Sequence, residues 1–357
     1  MTTPAANLKP RPQAMLALVL LALLAAAGWL LDARALLAAY LGAWWLVTGA
    51  LLGGLANVWL HQLTGGDWGE IIRPPLLRAA RWLPLACLLY LPALLCVRTL
   101  YPWASPAGGS SPEAGFQHWW LQPGFFIVRG VIYLMVWSAL ALLETRASSG
   151  PSARSPARAA GCLLAWVFTV SLAGVDWIMS LQPTWYSSVF GWLVAAGQMF
   201  SGMALAVLLI ERGAHGVRAR LPDFGNLLLM YVMVWGYLSY VQFLIIWAAD
   251  LPHEIEWYLL RSDAPWRQVI WVLVAFHLAI PLCILLSRQA KRAPRLLGAL
   301  AAGLLGAHLV DCWWLVLPSV RGLSHHWMWL APTVAAVFGF LTWSLLRLDH
   351  RKEGEHA

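Results

Sequence analysis

The sequence predicts an all-α, polytopic membrane protein of about ten transmembrane helices, and three observations predict it. Hydrophobic residues fill 61% and charged residues 11% of the 357 positions, far from the roughly 45–50% and 25% of soluble chains. Apolar runs recur, each long enough to cross about 30 Å of hydrocarbon at about 1.5 Å per residue. Arginine and lysine gather in alternate loops, the asymmetry that marks the cytoplasmic side of a helical membrane protein.

The spans follow in order. The first, 13–31, opens after Lys9 and Arg11. The second, 38–62, carries Trp44, Trp45, Gly49, Gly53 and Gly54 and ends on Asn57 and His61, which share a face. The third, 82–100, follows Arg73, Arg78 and Arg81, and the Gly-, Ser- and Pro-bearing stretch 101–123 reads as an outer loop. The fourth, 124–145, ends at Glu144, before an inner loop over 147–157 with Arg146 and Arg154 at its sides. The fifth, 158–181, begins at Arg158; the sixth, 186–210, holds Gly191, Gly197 and Gly202, small enough for close helix approach. Arg212, Arg218 and Arg220 separate it from the seventh, 224–249. The eighth, 267–287, meets Arg288, Lys291, Arg292 and Arg295 before the ninth, 295–317; the tenth, 327–347, stops at Arg347, Arg351 and Lys352.

The opposite loops hold only Arg34, Arg261 and Arg321, so both termini are expected in the cytoplasm. This asymmetry accounts for the net charge of +8, which is therefore no sign of nucleic-acid binding. Ala33-Arg34-Ala35 mimics a signal-peptidase site, but the apolar run before it is long for a signal peptide, and it is read as a span. Trp119-Trp120, Trp185, Trp257 and Trp327 fall near span ends and read as interfacial belts; Trp44-Trp45 and Trp313-Trp314 lie deeper, between helices.

Two stretches match. Asp176-Trp177 leads to Pro183 as Asp311-Cys312-Trp313-Trp314 leads to Pro318, Arg129-Gly130 aligns with Arg267-Gln268, and Arg158 with Arg295. The offsets, about 135 to 138 positions, describe a duplicated unit of four helices. An even number of crossings gives both copies the same orientation, a parallel repeat about an axis near the membrane normal. Residues 38–181 form one four-helix bundle and 186–317 the other, flanked by 1–37 and by 318–357.

Charges at membrane depth are costly and rarely idle. Arg129 and Asp176 lie equally far below the outer ends of consecutive spans, so they are expected to pair; in the second copy Asp311 lies at the corresponding depth and Arg267 is shallower, and the two are the candidate pair there. Asp176, Asp311, His308, His277, His61 and Glu144 read together as stepping points for protons. Purely structural ion pairing fits the same residues. His277 and His308, on neighbouring spans at similar depth, also offer a facing pair for a b-type haem, although a structural role is the commoner one for a buried histidine.

Cys87, Cys96, Cys162, Cys283 and Cys312 all fall within spans and form no Cys-x-x-Cys, which argues against covalent haem, iron–sulphur clusters and structural zinc. No metal is assigned and no catalytic residue is singled out. No nucleotide-binding loop is present in the sequence, which argues against an ATP-driven pump.

Several segments are distinctive: His61-Gln62-Leu63-Thr64-Gly65-Gly66-Asp67-Trp68-Gly69 with Arg73-Pro74, Asp176-Trp177 to Pro183-Thr184-Trp185-Tyr186, Trp257-Tyr258-Leu259-Leu260-Arg261, Ser287-Arg288 to Arg295-Leu296, and Asp311 to Pro318. With them the chain, from about residue 40 to the last spans, resembles the second NrfD-like integral membrane subunit of alternative complex III, a bacterial quinol:cytochrome c oxidoreductase. The resemblance implies two four-helix bundles with two flanking helices, a place in the bacterial inner membrane, and partner subunits carrying iron–sulphur and cytochrome c centres. It implies no redox centre in this chain itself and makes quinone or quinol the ligand to look for. A non-catalytic membrane scaffold is the alternative.

Overall fold

Long apolar segments whose prolines sit at first turns form helices, because proline's fixed φ suits that position and its missing N–H costs nothing there. Pro156, Pro252 and Pro294 open helices in this way. The computed structural model describes residues 12–105, 116–147, 155–210 and 216–354. The described residues are 88% helical, with no strand among them.

The order is α1 (Pro12–Thr64), α2 (Asp67–Ala80), α3 (Leu83–Leu95), α4 (Val97–Leu100), α5 (Phe116–Trp120), α6 (Pro123–Ala147), α7 (Pro156–Trp177), α8 (Phe190–Leu209), α9 (Val217–Ala249), α10 (Pro252–Leu259), α11 (Trp266–Leu273), a π-helical turn (Val274–Ala279), α12 (Ile280–Leu286), α13 (Arg288–Arg292), α14 (Pro294–Val316) and α15 (Trp327–Gly354). Eight helices among the described residues are long and apolar enough to cross a membrane, nine with the bent pair α2–α3 taken as one. The first, α1, has 53 residues, about 80 Å at 1.5 Å per residue and far more than one crossing needs. It breaks at Asp32, whose backbone is extended (φ −159°, ψ 96°). Asp32 Oδ1 accepts from the N–H groups of Arg34 and Ala35 at 3.0 Å, capping the second half of α1, so that α1 is two helices joined at a kink.

The expected third span, 82–100, is interrupted at Cys96, and before it α2 runs over 67–80 at a 44° bend to α3. The expected outer loop holds a 3₁₀ turn at Pro102–Ala104 and α5. Most of the expected inner loop 147–157 lies outside the described residues.

The second half of α1 packs on α3 and α7, and α6 on α3 and α7; α8 packs on α9 and α14, and α12 on α9. Trp44, Trp137 and Trp177, all fully buried, fill the first group with Tyr90, which stacks on Trp44 at 4.0 Å. The two groups meet where α1 crosses α8. A Cβ on Gly53 would lie 1.7 Å from the carbonyl oxygen of Gln198, and one on Gly202 would lie 2.2 Å from the backbone nitrogen of Gly54. Only glycine lets two backbones come this close. Asn57 closes the crossing, donating to the carbonyls of Gly53 (2.7 Å) and Met199 (2.9 Å) and accepting from Tyr231 (2.7 Å).

Candidate functional site

Four carboxylates are buried among the described residues; Glu254 belongs to the short helix α10, and the other three stand within the long apolar helices, where their hydrogen bonds separate them. Glu144, near the end of α6, is 1% exposed. One of its oxygens accepts from Gln62 (2.9 Å) and Arg73 (3.2 Å), the other from Trp59 (3.2 Å) and Arg158 (3.3 Å). The four donors come from α1, α2 and α7, so one carboxylate ties four helices together.

Asp176, at the end of α7, is fully buried. Arg129 of α6 donates through Nε (2.8 Å) and Nη2 (3.0 Å) in a two-pronged contact, the geometry that suits guanidinium to carboxylate. Trp120 (2.7 Å) and Tyr133 (2.9 Å) complete the set. The guanidinium lies over the rings of Trp120 (4.1 Å) and Phe125 (4.3 Å).

Asp311, on α14, is different. The structure does not bring Arg267 to it: Arg267 sits in the first turn of α11 and is exposed. The buried partners of Asp311 are the indole of Trp235 on α9, donating at 3.0 Å, and His308 Nδ1, 3.3 Å away on the same helix face. That nitrogen is close without being aligned for a hydrogen bond, and it has no other partner. His277, which is 1% exposed, has no hydrogen-bond partner on either ring nitrogen. It lies in the π-helical turn, a local break in α-helical pattern of the kind that collects at functional sites. Its ring is 5.4 Å from that of His308, 4.0 Å from Trp235 and 4.9 Å from Phe200. Gly197 on α8 makes room for His308, because a Cβ there would be 2.7 Å from the imidazole Cε1. One nitrogen from each histidine and a carboxylate oxygen of Asp311 lie within 4.8 Å of one another.

The six residues read in the sequence as proton stepping points thus fall into separate settings. His277, His308 and Asp311 come together. Asp176 and Glu144 each sit in a filled shell of donors, so a relay through either would have to break those bonds. His61 packs on Trp68 and bonds the carbonyl of Gly66 at 2.7 Å.

Arg261 is the residue the sequence reading passed over. It lies between α10 and α11, outside the spans, yet is 2% exposed. It donates to the carbonyls of Trp257 (2.8 Å), Trp314 (3.1 Å) and Leu315 (2.9 Å) and to Ser319 (2.9 Å). Its cation rests 3.6 Å over Trp257. These acceptors lie at helix C-terminal ends, where the helix dipole favours a cation. Burial still pushes its guanidinium well below the ordinary arginine range. Trp185 and Trp257, expected at the membrane interface, are buried and stacked at 4.7 Å. Trp119, by contrast, is 73% exposed.

Beside the Asp176 shell lies a cavity of about 320 Å³, at the small end of the range for ligand pockets. Trp120, Leu172, Met179, Ser180, Trp185 and Tyr186 line it. Two of these belong to the shell's surroundings: Trp120 donates to Asp176, and the Ser180 hydroxyl to the Asp176 backbone carbonyl.

No protein-family model matches the chain, and no curated protein matches it.

Proposed function

We propose that the chain is the membrane-spanning subunit of a bacterial respiratory quinol:cytochrome c oxidoreductase of the alternative complex III type. In this reading it sits in the inner membrane with both termini cytoplasmic. It contacts the quinol, and iron–sulphur and cytochrome c partners carry the electrons. The observation that carries the reading is the cavity next to Asp176. Five of its nine lining residues come from the Asp176–Tyr186 segment, one of the segments through which the sequence resembles that family. Two indoles, a phenol ring and a thioether suit a flat, weakly polar ring, and Ser180 adds a hydroxyl able to bond a quinol oxygen. The Arg129–Asp176 shell holds Trp120 in that wall.

A scaffold role is the second reading, favoured by the filled donor shells of Asp176 and Glu144. One experiment separates the two. The tagged chain, taken from its native membrane in mild detergent, is expected to bring c-type haem and iron–sulphur subunits and to show quinol:cytochrome c reductase activity. Leu172→Trp, which fills the cavity, is expected to leave the assembly intact while raising the KM for quinol at least tenfold. An assembly with unchanged quinol kinetics in Leu172→Trp supports the scaffold, and a chain that purifies with no redox partner overturns the respiratory assignment.

A further inference from the structure

We propose that His277, His308 and Asp311 form a binding site for one divalent transition-metal ion of the zinc class. The proposal is independent of the quinol reading above. Its ground is a contrast within one molecule. Asp176 and Glu144, the other carboxylates buried within the spans, are surrounded by donors, whereas Asp311 faces His277, with no partner on either ring nitrogen, and the partnerless Nδ1 of His308.

Three facts make the group a site. The residues His277, His308 and Asp311 are 1%, 5% and 4% exposed, so water does not satisfy them from outside. Buried polar nitrogens without partners are rare in folded proteins and mark a ligand or a functional strain. Their ligand atoms also converge. His308 Nδ1 and Asp311 Oδ2 are 3.3 Å apart, which matches the separation of about 3.3 Å between two ligands held at about 2.0–2.1 Å on one tetrahedral ion. His277 completes the set within 4.8 Å, and rotation of its ring over a turn of π-helix closes the remainder.

The chemistry of the donors selects the ion. Two imidazoles and one carboxylate suit zinc, iron, cobalt or copper and do not suit calcium or magnesium, which take oxygen ligands. Three protein ligands leave a fourth position open. Trp235 holds the carboxylate through its indole N–H, the kind of outer partner that fixes a ligand's orientation. No local spacing motif announces the site, because His277 comes from the π-helical turn and the other two ligands from α14.

The test uses the full-length chain carrying an affinity tag free of histidine, purified in detergent after loading with Zn²⁺ and removal of free metal. Mass-spectrometric metal analysis is expected to give close to one zinc per chain. Co²⁺ loaded in its place is expected to give the visible absorption of a four-coordinate nitrogen–oxygen site. His277→Gln, His308→Gln and Asp311→Asn are each expected to lower bound metal at least tenfold while keeping the wild-type gel-filtration profile. Where a variant fails to fold, X-ray absorption at the zinc edge of the wild type decides, with two imidazoles in the ligand shell expected. The proposal is overturned by a folded wild type without equimolar metal, by folded variants that keep it, or by a ligand shell lacking imidazole.

Discussion

Removing the two members of the Arg129–Asp176 pair should not cost the same. Arg129→Met strips two charge-assisted hydrogen bonds from a carboxylate that keeps Trp120 and Tyr133 as donors. Asp176→Leu leaves a buried cation with no carboxylate beside it, and also removes the acceptor from Trp120 and Tyr133. Breaking a buried ion pair from one side costs about 3–5 kcal/mol, so the arginine variant belongs near 3 and the aspartate variant near 5. The double variant, with no stranded charge, should be more stable than Asp176→Leu alone. At about 2 °C per kcal/mol for a chain of this size, the single losses are about 6 and 10 °C. Thermal denaturation followed by fluorescence-detected gel filtration in detergent reads these shifts. An arginine variant as damaging as the aspartate one, or a double variant showing the sum of both losses, would refute the reasoning.

Other outcomes follow from the same structure. Gly202→Val drives a side chain into the backbone of α1; overpacking costs about 1–3 kcal/mol or more, so the chain should aggregate or lose well over half its monodisperse yield. Arg261→Leu should cost about 2–4 kcal/mol and raise hydrogen exchange over 314–319, where the carbonyls and hydroxyl it bonds reside. Burial raises the Asp32 carboxyl, but hydrogen bonds from the Ser324 hydroxyl and from backbone N–H groups outweigh this and hold it below the usual carboxylate range. A depressed folded value means that its stabilisation is present above the ordinary carboxylate range and lost as pH falls through the lowered one. Ser324→Ala should therefore lower thermal stability at neutral pH and shrink the further loss on the acid side, so that variant and wild type converge as pH falls.

The helices and their approximate ends were legible because a span must be long and apolar, a demand that composition answers directly. The meeting of Arg129 and Asp176 was legible too, since depth along consecutive helices is simple arithmetic at a fixed rise. The same arithmetic put Arg267 shallower than Asp311, and its candidate pairing with Asp311 rested on the repeat alone. The repeat preserves its position in sequence, but α11 starts only at Trp266, which leaves Arg267 in an exposed first turn. Asp311 is served instead by Trp235, from a helix whose counterpart in the first copy is not the source of Arg129. Arg261 escaped notice because a loop arginine is ordinarily solvated, and only the fold reveals the carbonyls that gather around it. Depth along neighbouring spans also anticipated that His277 faces His308, but no residue pattern in 274–279 announces the π-helical turn that carries His277 or the lack of partners on its ring. Burial of Trp185 and Trp257 was equally hidden, since a stacked pair and an interfacial belt draw on the same residue type.

The central claim is that a quinol ring occupies the cavity beside Asp176, and photo-crosslinking tests it most directly. The purified assembly is incubated with an azido-benzoquinone or azido-naphthoquinone, illuminated, digested and mapped by mass spectrometry. The account predicts labelling concentrated in residues 172–186, suppressed by excess unlabelled quinone and absent in Leu172→Trp. Labelling that falls elsewhere, or that persists at 172–186 when the cavity is filled, would contradict it.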